Sequence, residues 1–296
     1  MKIHTIDLNF QNVPQTIAAY VVMGPDGPVL VETGPGSTLP VLLAELDKLG
    51  IQPGDIKQAL VTHIHFDHAG AAGWWASQGA HVYVHYFGAR HLIAPEKLIA
   101  SATRIYGDKM DTLWGQILPA PEDRVTAVHD GDKIQAGGLT FTAMETPGHA
   151  RHHHVYRLGD IAFSGDAAGI NIPGKFMADL PAPPPEFDLE AWLKTVDLLL
   201  AQDFTAIYPT HYGRLDNWRE HLAEFRPLLQ NAADFVKEKL DAGVEREQLL
   251  ADYTEWNLQR AKAAGLTDAQ IHKYITANPL DMSVDGIIRY WRKKLG

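Results

Sequence analysis

Thr62-His63-Ile64-His65-Phe66-Asp67-His68-Ala69-Gly70 places four imidazole and carboxylate donors within six residues, at the end of the β-rich run Gln58–Thr62. In extended chain, residues two apart point the same way, so His63, His65 and Asp67 can converge on one side. Where the chain turns into a helix, expected over Ala69–Gln78, His68 swings into the same space. A solvated polar loop is the plain alternative, but it does not account for four donors at metal-ligand spacing.

Outward from this cluster the chain alternates short β-rich runs, Gly/Pro turns and helices. Ile17–Met23 and Pro28–Glu32 read as strands joined by the hairpin turn Gly24-Pro25-Asp26-Gly27. A helix follows with Leu39, Leu42, Leu43 and Leu46 on one face, Ser37 or Thr38 as its cap and Gly50 at its end. His81–His85 is a strand, and residues 86–118 lean helical. Further strands are expected at Arg124–Val128, Thr140–Glu145, His154–Leu158, Asp160–Ser164 and Ala206–Tyr208, with a helix from Asp188 to Ala201. Two successive halves of this kind fit two packed sheets with helices on their outer faces, an α/β αββα sandwich. Beyond Arg214 the pattern is helical: Phe225, Leu229, Ala232, Val236 and Leu240 share a face, Thr267 and Gln270 form a capping box, and Ser283 caps a last helix. The expected division is a catalytic unit over 1–214 and a helical C-terminal extension over 215–296, packed on it.

Composition narrows the chemistry. The chain has 296 residues, 15 histidines, no cysteine and a net charge of −10. Without cysteine there are no disulfides, no thiolate ligands and no Cys nucleophile. A His-rich, acidic chain without Cys suggests metal ligation by imidazole and carboxylate. Residues 1–214 hold 14 Lys+Arg against 23 Asp+Glu, a net −9, so the basic stripe that nucleic acid requires is missing. No apolar run approaches the ~20 residues that span a bilayer, and Met1-Lys2-Ile3-His4 is not followed by a signal-peptide core. The expectation is a cytoplasmic protein acting on a small molecule, with no nucleic-acid or membrane partner; a homo-oligomer stays open.

Three downstream segments then fall in a telling order, Thr146-Pro147-Gly148-His149, Phe163-Ser164-Gly165-Asp166 and Pro209-Thr210-His211-Tyr212-Gly213, with Val29–Gly34 (VLVETG) ahead of the cluster. Singly each is an ordinary turn. As a set, spanning roughly residues 15–214, they resemble the metallo-β-lactamase-fold hydrolases, in the branch of glyoxalase II and the lactonases. The departure is Glu32, which stands where the family carries Asp and whose own role is left open. The resemblance implies that His63, His65 and His149 hold one metal, that Asp67, His68 and His211 hold a second, and that Asp166 bridges them. It implies two divalent ions, Zn²⁺ first, with Fe or Mn also suited to a thiolate-free set. It further implies a dinuclear hydrolase acting through a metal-held hydroxide, with Asp67 orienting that nucleophile.

The implied substrate is a small carbonyl ester: thioester, lactone or carboxylic ester. A true β-lactamase is discounted because it lacks the bridging carboxylate. The flavodiiron branch carries Glu at the second His of the motif, and the nucleases want basic surface. Two other classes remain: an oxidoreductase like the mononuclear iron persulfide dioxygenases of this fold, and a metal-binding protein without catalysis. Residues of lower rank are His153, as a group that hydrogen-bonds a ligand, and Tyr212, as a group near a substrate oxygen. Gly174-Lys175-Phe176 resembles the glutathione-contacting segment of glyoxalase II. Tyr106, Trp114, Phe176, Met177 and Phe187 are expected in the pocket walls, and Trp74-Trp75 in the core.

Overall fold

A computed structural model describes residues 2–296. Its first sheet joins β1 (Lys2–Asp7), β2 (Ala18–Gly24), β3 (Gly27–Val31), β4 (Gln58–Leu60), β5 (His81–His85) and β6 (Val125–Val128) in that spatial order. Helices α1 (Leu39–Lys48), α2 (Phe66–Ala69), α3 (Ala72–Ser77), α4 (Tyr86–Ile93), α5 (Glu96–Tyr106) and α6 (Met110–Trp114) interrupt these strands. The second sheet runs β11 (Ala206–Pro209), β10 (Ile161–Gly165), β9 (His154–Leu158), β8 (Leu139–Glu145) and β7 (Lys133–Ala136). Between β10 and β11 lies α7 (Leu189–Leu200), and the chain ends in α8 (Trp218–Asp241), α9 (Arg246–Ala263), α10 (Asp268–Ala277) and α11 (Leu280–Leu295). Both sheets are mixed: β1–β3 are antiparallel and β3–β6 parallel, while β7–β10 are antiparallel and β10 and β11 parallel.

Period-two alternation assigns the layers. Ala18, Tyr20, Val22, Val29 and Val31 face Phe141, Tyr156, Phe163 and Tyr208 of the other sheet. Their neighbours Ala19, Val21 and Leu30 point the opposite way, onto Leu42, Leu46 and Trp75. Val155, Ala162 and Ile207 turn outward from the second sheet onto Trp192, Val196, Leu222, Phe225 and Ile287. The inner strands β2, β3, β9 and β10 thus bury both faces, and the result is a four-layer αββα sandwich with α8–α11 added to the second outer layer.

Several expectations shift. The hairpin at 24–27 forms, with Gly24 opposite Gly27, and Asp188 caps α7 by accepting from the Ala191 N–H at 2.9 Å. Thr267 and Gln270 make the capping box of α10. Thr38 does precede α1, but its hydroxyl donates to Pro35 O at 3.0 Å instead of capping. The single helix expected at 69–78 is divided into the end of α2 and α3, because the Ala71 N–H leaves the helical ladder and donates to Gly34 O at 2.9 Å. Ser283 does not cap α11: that helix begins at Leu280, and Ser283 lies inside it, buried. Its hydroxyl accepts from the Ala182 N–H at 3.1 Å, and Leu180 O and Asn278 Oδ1 lie 3.0 Å from it. Trp75 is wholly buried in the first outer layer, away from the site. No described helix is long and apolar enough to cross a membrane.

Asn278 and Ser283 therefore pin the 178–183 segment to the C-terminal helices; Asn278 Nδ2 donates to Asp179 Oδ2 at 2.8 Å and to Leu180 O at 3.0 Å. Removing the Ser283 hydroxyl leaves the Ala182 N–H without its partner, which costs about 1–3 kcal/mol. Ser283→Ala is expected to lower the unfolding free energy by that amount, seen as a lower urea midpoint, without loss of helix content. Circular dichroism with urea titration checks this, and an unchanged midpoint refutes the pinning role.

Candidate metal centre

Strands β8, β10 and β11 run the same way and end at the same edge of their sheet, where β3 and β4 also end in the facing sheet. The turns beyond those ends carry the site: 61–68 after β4, 146–149 after β8, 165–166 after β10 and 209–211 after β11. Two glycines let the turns approach. A Cβ on Gly165 would lie 2.5 Å from Thr62 Oγ1 and 2.6 Å from His153 Nε2, and one on Gly148 would lie 2.3 Å from Trp192 Cα. Both have positive φ, 50° and 140°, where a side chain is strained in any case.

The donors expected from sequence come together in three overlapping groups: His63, His65 and His149; His63, His68 and Asp166; and Asp67, His68 and His211. Within each group the ligand atoms lie within 4.8 Å of one another. Asp166 lies between the outer two groups, with Oδ2 3.3 Å from His149 Nε2 and Oδ1 3.4 Å from His68 Nε2 and 3.6 Å from His211 Nε2. Asp67 Oδ2 stands 3.3 Å from His211 Nε2 and 3.5 Å from His68 Nε2. All are buried except His65 and Asp67, whose carboxylate is 20% exposed.

The far nitrogens of the imidazoles fix their tautomers. His149 Nδ1 donates to Pro181 O at 2.8 Å, His211 Nδ1 to Thr16 O at 2.7 Å and His68 Nδ1 to Glu32 Oε1 at 3.0 Å, since those oxygens can only accept. Thr62 Oγ1 donates to Glu32 Oε1 at 2.6 Å, so it accepts from His63 Nδ1 at 3.1 Å. The inward nitrogens of these four rings are then bare lone pairs. His63 Nε2 faces His149 Nε2 at 3.2 Å, and His68 Nε2 and Asp166 Oδ1 are buried without hydrogen-bond partners. Lone pairs turned on each other and on a carboxylate repel unless a cation lies among them. Among the described residues, no Lys or Arg nitrogen comes within 4 Å of Glu32, Asp67 or Asp166. The donor set therefore fits divalent cations.

Charge states agree with that fit. Burial, then the neighbouring imidazoles, pushes His63 well down and His65 to about 3. Both are therefore neutral and free to ligate. Burial would also depress His68, but Asp67, Asp166 and Glu32 outweigh it and hold its pKa well above the usual value. Burial works to raise Asp67, and the facing His68 and His211 reverse it, keeping the carboxyl ionised. Positive charge is thus demanded where the second group converges, met either by a second proton on His68 or by a cation that displaces that proton and leaves Nε2 as a lone pair.

Glu32 is the residue whose function the sequence left open. Buried and at φ 65°, it accepts from Thr62 Oγ1, from the Thr62 N–H at 3.2 Å, from Thr210 Oγ1 at 3.1 Å and from His68. Its one signal was its place in Val29–Gly34. The carbonyls of Thr16 and Pro181 gave none. His153 Nε2 accepts from the Asp166 N–H at 3.1 Å, while its Nδ1 bonds Thr146 Oγ1 at 2.8 Å. His152 pairs with Glu186 at 3.0 Å. Tyr212 packs half-buried against the inter-sheet core and does not line the cavity over the centre. That cavity, about 450 Å³, takes its wall from Tyr106 and Trp114 as expected, and from Phe10, Pro183–Pro185 and Pro279 as well. Phe176, Met177 and Phe187 are not in it: Phe176 meets His221 edge-on, and the other two are buried in cores. Gly174-Lys175-Phe176 likewise lies outside it.

A layered αββα sandwich with imidazoles and carboxylates gathered at one edge defines a candidate metal-binding protein of the metallo-β-lactamase fold. The chain belongs to the metallo-beta-lactamase superfamily, whose sequence profile matches residues 13–211. A metallo-beta-lactamase fold-containing protein of Sulfurisphaera tokodaii is 27% identical over 66% of this chain and 72% of its own length. A hydroxyacylglutathione hydrolase of a Methylobacterium strain is 33% identical over 61% of this chain, and the match spans only 58% of that relative. Among solved structures, a metallo-beta-lactamase family protein of Thermus thermophilus superposes with a TM-score of 0.71 at 21% identity, covering 99% of this chain and 93% of its own. That coverage extends the likeness of fold to the C-terminal helices.

Two expectations follow. Glu32→Gln removes the charge that orients His68 and leaves one amide oxygen facing four donors, so metal affinity should fall about 10–100-fold. Competition with a fluorescent chelator measures it, and parental affinity would remove Glu32 from its supporting role. Separately, burial pushes His85 to about 4 and His154 to about 3. Each is neutral in the fold while the unfolded chain takes up a proton near pH 6.5. Their stability is thus complete above that pH and is lost as pH falls toward 4. The loss by pH 5 is on the order of 1–2 kcal/mol per imidazole. Unfolding free energies between pH 7 and 5 should slope accordingly, and the slope should flatten in His154→Gln; an identical slope refutes it.

Proposed function

We propose that the chain is a dinuclear metal-dependent hydrolase of a small carbonyl ester: a thioester, a lactone or a carboxylic ester. His63, His65 and His149 would hold one ion, and Asp67, His68 and His211 the other, with Asp166 between them. Zn²⁺ is the first candidate. The observation that carries this reading is the pair of donor groups sharing Asp166, whose two oxygens turn to opposite groups. Convergence of Asp67, His68 and His211 within 4.8 Å favours two ions over the single iron of a dioxygenase. Bound there, divalent ions would lower the pKa of a water molecule and polarise the substrate carbonyl.

The remaining work falls to the chain. Asp67, ionised and open to the cavity, accepts a hydrogen bond from the attacking water and fixes its direction. Tyr106, Trp114 and Phe66 exclude bulk water on one side. The thioester arm is supported by relatives named hydroxyacylglutathione hydrolase, and the −10 net charge speaks against nucleic acid. In this reading residues 1–214 are the catalytic unit, 215–296 form a helical extension against it, and the protein works in the cytoplasm.

Metal analysis of the purified protein should return about two ions per chain, as the paired donor groups require. A panel of lactones, thioesters including S-lactoylglutathione, and phosphodiesters should show turnover of one carbonyl class. Chelation should abolish that turnover and metal return should restore it, while Asp67→Asn should lower kcat by about 10²-fold or more. One iron per chain, with oxygen uptake on a persulfide and no hydrolysis, would overturn the proposal.

A further inference from the structure

The cavity over the metal centre has two unlike halves. One is aromatic and aliphatic. Trp114 stacks on Phe10 at 5.6 Å and meets Tyr106 at 5.1 Å and Phe66 at 5.9 Å, with Leu98 and Leu113 completing the wall. Burial and then the nearby Asp67 carboxylate push the Tyr106 hydroxyl pKa up, which sets this half beside the second donor group. The other half is cationic. Arg90, His91, Lys97 and Arg151 line the same cavity, and it adjoins the first donor group through His152, whose ring lies 5.5 Å from that of His65.

The cations of that half lack internal counter-charges. Among the described residues, Arg90, Lys97 and Arg151 make no ion pair, whereas Arg157, Arg214, Arg226, Arg246 and Arg260 each have a carboxylate within 4.0 Å. Glu186, which lines the same cavity, is taken by His152 at 3.0 Å and by the Arg151 N–H at 3.3 Å. Two of the cations are held in place from the side: the Arg151 guanidinium lies 4.3 Å over the Phe87 ring, and Arg90 Nε donates to His91 Nε2 at 3.2 Å. In a chain of net charge −10, unpaired positive groups gathered at the mouth of one cavity are a recognition feature.

We propose that Arg90, Lys97 and Arg151 form an anion subsite, and that the substrate is an amphiphilic ester with an apolar group on one side of the scissile carbonyl and a carboxylate or phosphate on the other. This rests on the hydrolase reading. The apolar group lies against Phe10, Tyr106 and Trp114, the anion meets the guanidinium pair, and the carbonyl falls between them, above the donor groups. Such a site discriminates by charge and length together. A neutral ester of the same length leaves the cations bare, and an anion without the apolar part forgoes burial in the aromatic half.

The test uses the metal-loaded full-length protein and matched 4-nitrophenyl esters: hexanoate, the mono-ester of adipic acid, and an ester of a phosphorylated hexanoic acid. The anionic esters are expected to exceed hexanoate in kcat/KM by about tenfold, mostly through KM, with the advantage shrinking as salt rises. The carboxylate and phosphate arms identify which anion is preferred. The double variant Arg90→Gln/Arg151→Gln should bring the anionic-to-neutral ratio close to one, while Arg289→Gln, outside the cavity, should leave the ratio as it is. A second measurement needs no turnover. The dissociation constant of the probe 8-anilino-1-naphthalenesulfonate is compared with that of uncharged N-phenyl-1-naphthylamine, and the ratio should shift toward the uncharged probe by about fivefold in the double variant. A charge preference that is absent, or that survives the double variant, overturns the subsite. Failure of every ester to react removes the hydrolase reading, and the probe ratio still decides the subsite.

Discussion

The carboxylate of Glu32 lies where β3 and β4 of one sheet meet the end of β11 of the other, and it takes hydrogen bonds from Thr62, Thr210 and His68. These donors belong to two chain segments, 61–68 and 209–211, that carry donors of the metal centre. A buried carboxylate with its acceptor sites filled is stable only while those segments keep their places, because any departure leaves a desolvated charge short of a partner. Lone pairs on His63 and His68 are aimed inward as a by-product of the same network, since each far nitrogen is tied to Glu32 directly or through Thr62. The geometry that suits cations is therefore imposed from outside the donor set.

What the sequence could convey follows from which signals are local. The alternation at 18–22 and 28–32 was readable because it reports two buried faces within one short run, and the donors of the cluster were readable because their spacing is itself the signal. The two strands that escaped notice, Lys2–Asp7 and Lys133–Ala136, lie at the edges of their sheets. Edge strands carry polar and charged residues that blunt pairing with other chains, so their composition resembles that of loops. Ser283 was misplaced for a related reason. A Ser ahead of an apolar stripe has the pattern of a cap, whereas here Pro279 precedes the helix and the hydroxyl finds partners in another segment. Thr16 and Pro181 contribute carbonyl oxygens, which any residue could supply, and nothing in the identity of a residue announces that its backbone will orient an imidazole.

The cavity divides its labour between distant parts of the chain. Its aromatic half is assembled from the N-terminal loop at Phe10, the start of α2 and the α5–α6 region, and its cationic half from α4, the first turn of α5 and the turn after His149. Pro279 and Met282 close it from the C-terminal helices. Changes in any one of these can alter what enters without touching the donors, which is how one metal-binding edge can serve many substrates across a superfamily.

The carbonyl of Pro181 has a bearing on how the protein is made. It receives the Nδ1–H of His149, and its own segment is held by Asn278 and Ser283, roughly a hundred residues further along the chain. On the ribosome, a nascent chain that has extruded every metal-binding side chain still lacks the two residues that lock this carbonyl. Until nearly the whole polypeptide has emerged, the Pro181 segment lacks the hydrogen bonds that fix the carbonyl to which His149 donates. The orientation of that imidazole is therefore among the last local features that synthesis makes possible.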